Sequence, residues 1–198
     1  MNLPNKITIT RIILAILLLI LLVFPFYQVG VEFPTYYIAS KIALNLKYII
    51  AGIVFMIASF SDFLDGNIAR KRGIVTDFGK IMDAIADKIL VNGVLIVLAV
   101  NGYISVIIPV VIVTRDIVVD SVRMASAGKG KVIAAGWLGK VKTVCMMIGI
   151  SLLLFSNLPF ELWNIRVAEL LIFVATVLSV VSGCQYFIAN KDFIFAEK

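Results

Sequence analysis

Six stretches of the chain are almost continuously apolar, and shorter polar segments separate them. They cover residues 12–24, 48–60, 81–100, 103–119, 144–155 and 167–187. A helix needs about 20 mostly apolar residues to cross the hydrocarbon core of a bilayer. Together with their flanks, the six stretches predict six transmembrane helices. Asn101-Gly102 and Asn157-Leu158-Pro159 are turn signals that support two of the divisions.

The segment between the first two stretches, residues 28–47, is mixed in character. It contains Tyr36, Tyr37 and Lys41 among apolar residues. Tyrosine and tryptophan are enriched where a membrane meets water. We therefore expect this segment to lie at the membrane interface.

The basic residues orient the predicted spans. All but three of the 18 Lys and Arg residues fall in the N-terminal segment, in the regions joining spans two to three and four to five, or in the tail. The exceptions are Lys41, Lys47 and Arg166. Since positive charge stays on the cytoplasmic side, we predict a multi-pass protein of the cell membrane with both termini in the cytoplasm.

The composition supports a membrane protein and excludes other classes. The chain is 62% hydrophobic and 15% charged, against about 25% charged residues in soluble domains. Its net charge of +6 indicates membrane anchoring rather than nucleic-acid binding, because the basic residues cluster between apolar stretches. The chain has no histidine, which excludes histidine-based catalysis. We expect a single domain over residues 1–198, all-α and integral to the membrane.

Two polar stripes lie next to these apolar stretches: one directly follows the second stretch, and the other overlaps the start of the third. The first has the spacing i, i+3, i+4, i+7 of one helix face and consists of Asp62, Asp65, Gly66 and Ala69. The second steps by four and consists of Gly79, Asp83 and Asp87. A basic turn that starts at Arg70 joins them, so the two stripes can fold back and face each other.

Carboxylates inside a membrane are costly unless they face an ion, a partner charge or a cavity. Salt bridges to Arg70, Lys80 and Lys88 are one explanation, and a cation path as in transporters is another. The carboxylates outnumber the nearby cations, so salt bridges alone would leave charge uncompensated. An oxygen-only ligand set favours Mg²⁺ or Mn²⁺, and arginine suits a phosphate. The stripes therefore predict a polar, metal-binding cleft, open to the cytoplasm, for a nucleotide pyrophosphate.

The full pattern, Asp-x2-Asp-Gly-x2-Ala-Arg-x8-Gly-x3-Asp-x3-Asp, resembles the signature of the CDP-alcohol phosphatidyltransferase family. All eight specified positions match, and the six-span layout is also similar to the family's. The matching residues are Asp62, Asp65, Gly66, Ala69, Arg70, Gly79, Asp83 and Asp87.

The resemblance implies an enzyme that transfers a phosphatidyl group from CDP-diacylglycerol to an alcohol and releases CMP. It implies one or two Mg²⁺ or Mn²⁺ ions on the motif carboxylates, with Asp87 also the catalytic base for the acceptor hydroxyl. The implied metal ligands are Asp62, Asp65, Asp83 and Asp87. The implied nucleotide-pocket residues are Gly66, Ala69, Arg70 and Gly79. A homodimer in the lipid bilayer is implied as well.

The acceptor depends on other residues. Arg115 lies beside Asp116 in an apolar stretch, and Arg123 shares a helical face with Asp116 and Asp120. An acceptor with its own phosphate would need such cations. Residues 2–8 with Arg11, residues 114–116 and residues 138–143 resemble the branch that uses sn-glycerol 3-phosphate and makes phosphatidylglycerol phosphate. The candidates for the acceptor phosphate are Arg115, Arg123, Lys140 and Lys142. Asn5 and Thr8 are candidates for closing the nucleotide side.

The sequence leaves two alternatives open. A sibling enzyme of the same family could use inositol phosphate, serine or phosphatidylglycerol as its acceptor. The last two need no phosphate pocket, so Arg115→Ala would leave their KM unchanged. A divalent-cation transporter could use the same carboxylates, and it would move metal ions without releasing CMP.

Overall fold

A computed structural model describes residues 3–39, 42–72, 77–128 and 136–189. Within these ranges the side chains of residues 3–6, 63–72, 77, 78, 80, 125, 127 and 128 lie outside the description. The described part is predominantly helical. Its helices are α1 (Leu3–Val23), α2 (Leu46–Arg72), α3 (Asp77–Val100), α4 (Ile107–Gly128), α5 (Trp137–Leu154) and α6 (Val167–Ala189).

Each helix contains all or most of one of the six apolar stretches. Helix α2 continues beyond its apolar stretch through the first polar stripe, and α3 begins before its stretch so that it includes the second stripe. Both stripes therefore lie on helices, as their spacing predicted. Helix α4 likewise runs past its apolar part and carries Arg115, Asp116, Asp120 and Arg123 on continuous helix.

A short hairpin between α1 and α2 departs from the all-α prediction. Strands β1 (Thr35–Ile38) and β2 (Ile42–Asn45) pair antiparallel, with Thr35 opposite Asn45 and Ile38 opposite Ile42. Threonine, tyrosine and isoleucine favour strands, but a four-residue strand gives little periodic signal. Ser156 Oγ donates a hydrogen bond to the Ala43 carbonyl oxygen (3.2 Å), so the hairpin lies beside the loop between α5 and α6.

Helices α1, α2 and α3 form one group and α4, α5 and α6 another, and the contacts of α3 with α4 and of α2 with α5 join them. Helix α1 contacts α2 and α3, α5 contacts α6, and α4 contacts both α3 and α6. The interior is filled by fully buried apolar side chains that include Leu18, Phe55, Leu95, Ile150 and Ile172. The outer faces of α1 and α6 expose large apolar side chains, among them Leu17 and Phe173. Such faces suit contact with lipid rather than water.

Two of the described helices are long and apolar enough to cross a membrane by length and composition. They are α5 and α6, and α1 contains a shorter apolar segment, Ile7–Val23. The six spans therefore remain a prediction, whereas the helical architecture is observed.

Helices α5 and α6 pack closely against each other at a glycine. A Cβ atom at Gly149 would lie 2.7 Å from Ile172 Cγ1 and 3.3 Å from the Ala168 carbonyl oxygen. Small residues of this kind let helices in membranes approach closely. This contact fixes α6 against α5, and with it the α6 residues that face α4.

The alternation of the helices gathers the polar residues at one end of the bundle. The C-terminal parts of α2, α4 and α6 and the N-terminal parts of α1, α3 and α5 meet there. The hairpin and the α3–α4 and α5–α6 loops occupy the opposite end.

Candidate active site

Helices α1, α2 and α3 bring the two carboxylate stripes to a common point. Asp62 of α2 accepts a hydrogen bond on Oδ1 from Arg11 Nη1 of α1. The same Nη1 atom lies 3.7 Å from Oδ1 of Asp83 on α3. Thr8, one turn before Arg11, donates to that Asp83 oxygen from Oγ1 at 2.7 Å. The first carboxylates of the two stripes, Asp62 and Asp83, thus converge.

The remaining motif residues occupy the adjoining turns of α2 and α3. Gly79 is buried one turn before Asp83, and Asp87 follows one turn after it. Asp65, Gly66, Ala69 and Arg70 lie on the last turns of α2, and Asn5 lies on the first turn of α1. Their side chains fall outside the described residues, apart from Gly66, which has none.

No group of three or more metal-ligating side chains is found among the described residues, a set that does not include the Asp65 side chain. The donor chemistry at the convergence point nevertheless fits a hard divalent cation. Carboxylate oxygens from two helices approach one positively charged nitrogen, and Mg²⁺ and Mn²⁺ prefer such oxygen donors.

A cavity of about 690 Å³ adjoins Asp87 and lies between α3, α4, α5 and α6. Its walls are unusually rich in charge for a protein that is otherwise apolar. The charged side chains that line it are Asp87, Lys88, Arg115, Asp116, Asp120, Arg123 and Lys142.

Arg115 is held in this wall by three hydrogen bonds. Its Nε atom donates to the Ser179 carbonyl oxygen (3.1 Å), and its Nη2 atom donates to Ser182 Oγ (2.9 Å). A Cβ atom at Gly183 would lie 3.0 Å from Arg115 Cγ, so this glycine makes room for the arginine stem against α6. The third bond runs from Nη1 to Asp116 Oδ1 (3.0 Å).

Asp116 forms ion pairs with two cations. Besides Arg115, it accepts a hydrogen bond from Lys142 Nζ of α5 at 2.8 Å on the same Oδ1 atom. Lys142 is buried, so its ammonium group depends on this contact. On the next turn of α4, Asp120 forms an ion pair with Lys88 of α3. Each pair ties two helices together across the cavity wall.

Arg123 differs from the other cations of the cavity. Its guanidinium carbon lies 5.4 Å from the centre of the Tyr186 ring, in cation–π contact. Its Nε atom is buried without a hydrogen-bond partner in the part of the chain that the structure describes. Over the same residues no carboxylate pairs with Arg123. It is the cation with the most charge left to offer a ligand.

Three of the four predicted acceptor-phosphate residues line this one cavity: Arg115, Arg123 and Lys142. Lys140 is exposed and lies outside the lining. Asp87 also lines the cavity, which places the predicted base next to the predicted acceptor site.

Several residues of the site escaped sequence reasoning. Lys88 was considered as a partner of the motif carboxylates, but it pairs with Asp120 of α4. The position of Arg11 between Asp62 and Asp83 was not anticipated either. Its spacing of three from Thr8 puts both on one face of α1 and could have indicated a shared target. Tyr186 could not be identified as a site residue from the sequence, because one tyrosine near the end of an apolar helix is usually interfacial.

Comparison with known proteins shows which family the chain resembles. Residues 1–181 match the family model described as CDP-alcohol phosphatidyltransferase. The chain is 40% identical over 195 residues to a Bacillus subtilis protein named CDP-diacylglycerol–glycerol-3-phosphate 3-phosphatidyltransferase, with 96% of each chain covered. Proteins of the same name from Mycoplasma genitalium and Rickettsia bellii are 39% and 34% identical. These matches cover 85% and 97% of this chain and 69% and 97% of theirs, respectively.

Proposed function

The chain belongs to the CDP-alcohol phosphatidyltransferase family, and from this premise we propose that it makes phosphatidylglycerol phosphate. It transfers the phosphatidyl group of CDP-diacylglycerol to sn-glycerol 3-phosphate and releases CMP. The relatives named for this reaction match the chain almost from end to end. The observation that carries the acceptor assignment is the cationic cavity beside Asp87.

The cavity has the charge balance that a phosphate-bearing acceptor requires. Lys88 and Asp120 neutralise each other, and Asp116 is shared between Arg115 and Lys142. Among the described residues of the cavity, with Asp87 assigned to the metal ions, one positive charge of that trio and the whole charge of Arg123 are left. Two uncompensated cations match a phosphate close to its dianionic form. Serine and phosphatidylglycerol carry no such group, so they would leave these charges without a partner.

The donor belongs to the opposite side of Asp87, on the converging carboxylates. Asp62, Asp65, Asp83 and Asp87 would hold one or two Mg²⁺ or Mn²⁺ ions. When bound, such ions neutralise the charge of the donor diphosphate and of the leaving CMP. Gly66, Ala69, Arg70 and Gly79, with Asn5 and Thr8 from α1, are the residues proposed to surround the nucleotide.

Asp87 adjoins both the proposed donor site and the acceptor cavity. It lies one turn from Asp83 on α3 and also lines the acceptor cavity. A glycerol 3-phosphate bound by Arg123 and Arg115 would present a hydroxyl to this carboxylate. Asp87 takes the proton while the hydroxyl oxygen forms its bond to the phosphatidyl phosphorus, and the bond from that phosphorus to the CMP oxygen breaks.

The protein is a membrane protein, and we propose the finer topology of six spans with the cleft and both termini on the cytoplasmic side. The distribution of Lys and Arg supports this orientation, because the basic residues gather at the end of the bundle that carries the site. A homodimer is proposed from the family resemblance alone.

An acceptor panel tests the proposed function. Purified protein in detergent with CDP-diacylglycerol and Mg²⁺ should release CMP when sn-glycerol 3-phosphate is added. Inositol phosphate, serine and phosphatidylglycerol should give little CMP. Release that depends on one of those three compounds instead would replace the acceptor and leave the family assignment in place.

A further inference from the structure

Arg11 is the largest fully buried side chain in the part of the chain that the structure describes, with 1% of its surface exposed. A buried guanidinium is expensive unless carboxylates compensate its charge. Here the compensation comes from the two stripes themselves. Nη1 contacts Asp62 Oδ1 and lies 3.7 Å from Asp83 Oδ1. A positive charge from α1 is thus placed between an acidic residue of α2 and one of α3.

A cation that bridges α2 and α3 would have to bind the same two carboxylates. The two Oδ1 atoms belong to different helices and approach the same nitrogen atom. Asp62 and Asp83 are 37% and 39% exposed, so solvent and ions reach them, whereas Arg11 approaches from the buried side. Thr8 Oγ1 also donates to the Asp83 oxygen, so one face of α1 supplies both contacts.

We propose that Arg11 and the divalent cation compete for Asp62 and Asp83. The inference rests on the proposed function, since it takes these carboxylates as metal ligands. A guanidinium in contact with a ligand oxygen repels a divalent ion, most strongly where the local dielectric constant is low. Arg11 therefore weakens ion binding. Reciprocally, ion binding weakens the hold of Arg11 on the two carboxylates.

The competition gives the donor a role in metal binding. An ion that arrives alone displaces buried Arg11 from Asp62 and Asp83. A diphosphate that arrives with the ion supplies new negative charge close to the guanidinium. The ion and the CDP-alcohol should therefore bind cooperatively, and the ion should bind weakly without the donor.

Mn²⁺ binding to the purified protein in detergent without donor tests the proposal, with free Mn²⁺ measured by electron paramagnetic resonance. Arg11→Gln should lower the Kd for Mn²⁺ by roughly tenfold, within the range usual for coupled sites. The matched control is Arg166→Gln, which removes an exposed arginine paired with Glu169 at the other end of the bundle. This control should leave the Kd unchanged.

Labelling of the unmodified protein covers the case in which Arg11→Gln does not fold. Phenylglyoxal modifies accessible arginines, and the modified peptides are quantified by mass spectrometry. Mn²⁺ should raise the modification of Arg11 several-fold and leave that of exposed Arg166 unchanged.

The possible outcomes distinguish the competition of Arg11 with the cation from the proposed metal site on which it rests. If the unmodified protein binds Mn²⁺ but Arg11→Gln binds it equally or more weakly, the competition is wrong and the metal site stands. Unchanged Arg11 labelling in the presence of bound Mn²⁺ has the same meaning. If the unmodified protein binds no Mn²⁺ with or without CDP-diacylglycerol, the metal proposal fails and the competition with it.

Discussion

At the residue scale, the cavity owes its charge pattern to a few paired side chains. Asp116 holds Arg115 and Lys142 in place, and Asp120 holds Lys88. These carboxylates hold the cations against the walls and offset part of their charge. Arg123, resting on the Tyr186 ring, remains available to a ligand.

Arg123→Gln should therefore impair use of the acceptor specifically. A hydrogen bond to a charged group contributes about 1.5–3 kcal/mol, so the KM for sn-glycerol 3-phosphate should rise roughly tenfold or more. The KM for CDP-diacylglycerol should change little. Steady-state CMP release at varied concentrations of each substrate measures both values. Equal effects on the two substrates would count against a phosphate contact at Arg123.

Asp87→Asn should reduce turnover without preventing donor binding. General bases contribute about 10²–10⁴-fold to rate, so kcat should fall at least a hundredfold. Binding of CDP-diacylglycerol, measured on the detergent-solubilised protein, should persist. Glu161→Gln, at the hairpin end, is the control and should keep its kcat. A near-normal kcat for Asp87→Asn would refute its role as the base.

At the residue scale, sequence reasoning found Arg115, Arg123 and Lys142 because their charges interrupt apolar or glycine-rich stretches. It could not assign partners. Arg11 and Asp62 are 51 positions apart, and no local spacing connects residues on different helices. Lys88 lay near the motif carboxylates in sequence, yet the packing of α3 on α4 gave it Asp120 instead.

At the element scale, the six helices followed from the apolar stretches because a membrane helix needs a long, continuous run. Their ends were less predictable, since α2 and α3 extend through polar stripes that hydropathy alone would call loops. The β1–β2 hairpin was missed because a four-residue strand rich in tyrosine and isoleucine looks like interfacial sequence.

The α5–α6 contact allows a matched pair of substitutions. Gly149→Ala places a methyl group 2.7 Å from Ile172 Cγ1, whereas Gly139→Ala, in the same helix, meets nothing within 4 Å. Overpacking typically costs about 1–3 kcal/mol, so Gly149→Ala should lower the Tm in detergent by several degrees. Gly139→Ala should leave the Tm unchanged or raise it, because alanine favours helix. Equal Tm values would mean that the two helices are not in such close contact.

At the scale of the whole molecule, the bundle has a charged end with the site and an opposite end with the hairpin. The orientation can be tested with single cysteines in a protein whose Cys145 and Cys184 are replaced by alanine. Tyr37→Cys in the hairpin and Trp137→Cys beside the cavity both replace exposed residues. In intact cells an impermeant maleimide should label only Tyr37→Cys. Labelling of Trp137→Cys without permeabilisation would reverse the topology.

The proposed donor and acceptor sites meet at α3. One liposome experiment tests the proposed phosphatidyl transfer against the main alternative, a divalent-cation transporter. The protein is reconstituted with CDP-diacylglycerol in the bilayer, Mn²⁺ and sn-glycerol 3-phosphate outside, and a Mn²⁺-quenched dye inside. We expect CMP release that requires sn-glycerol 3-phosphate and stops on addition of EDTA, with dye quenching no faster than in protein-free liposomes. Rapid quenching without CMP release would show a cation transporter and contradict the account.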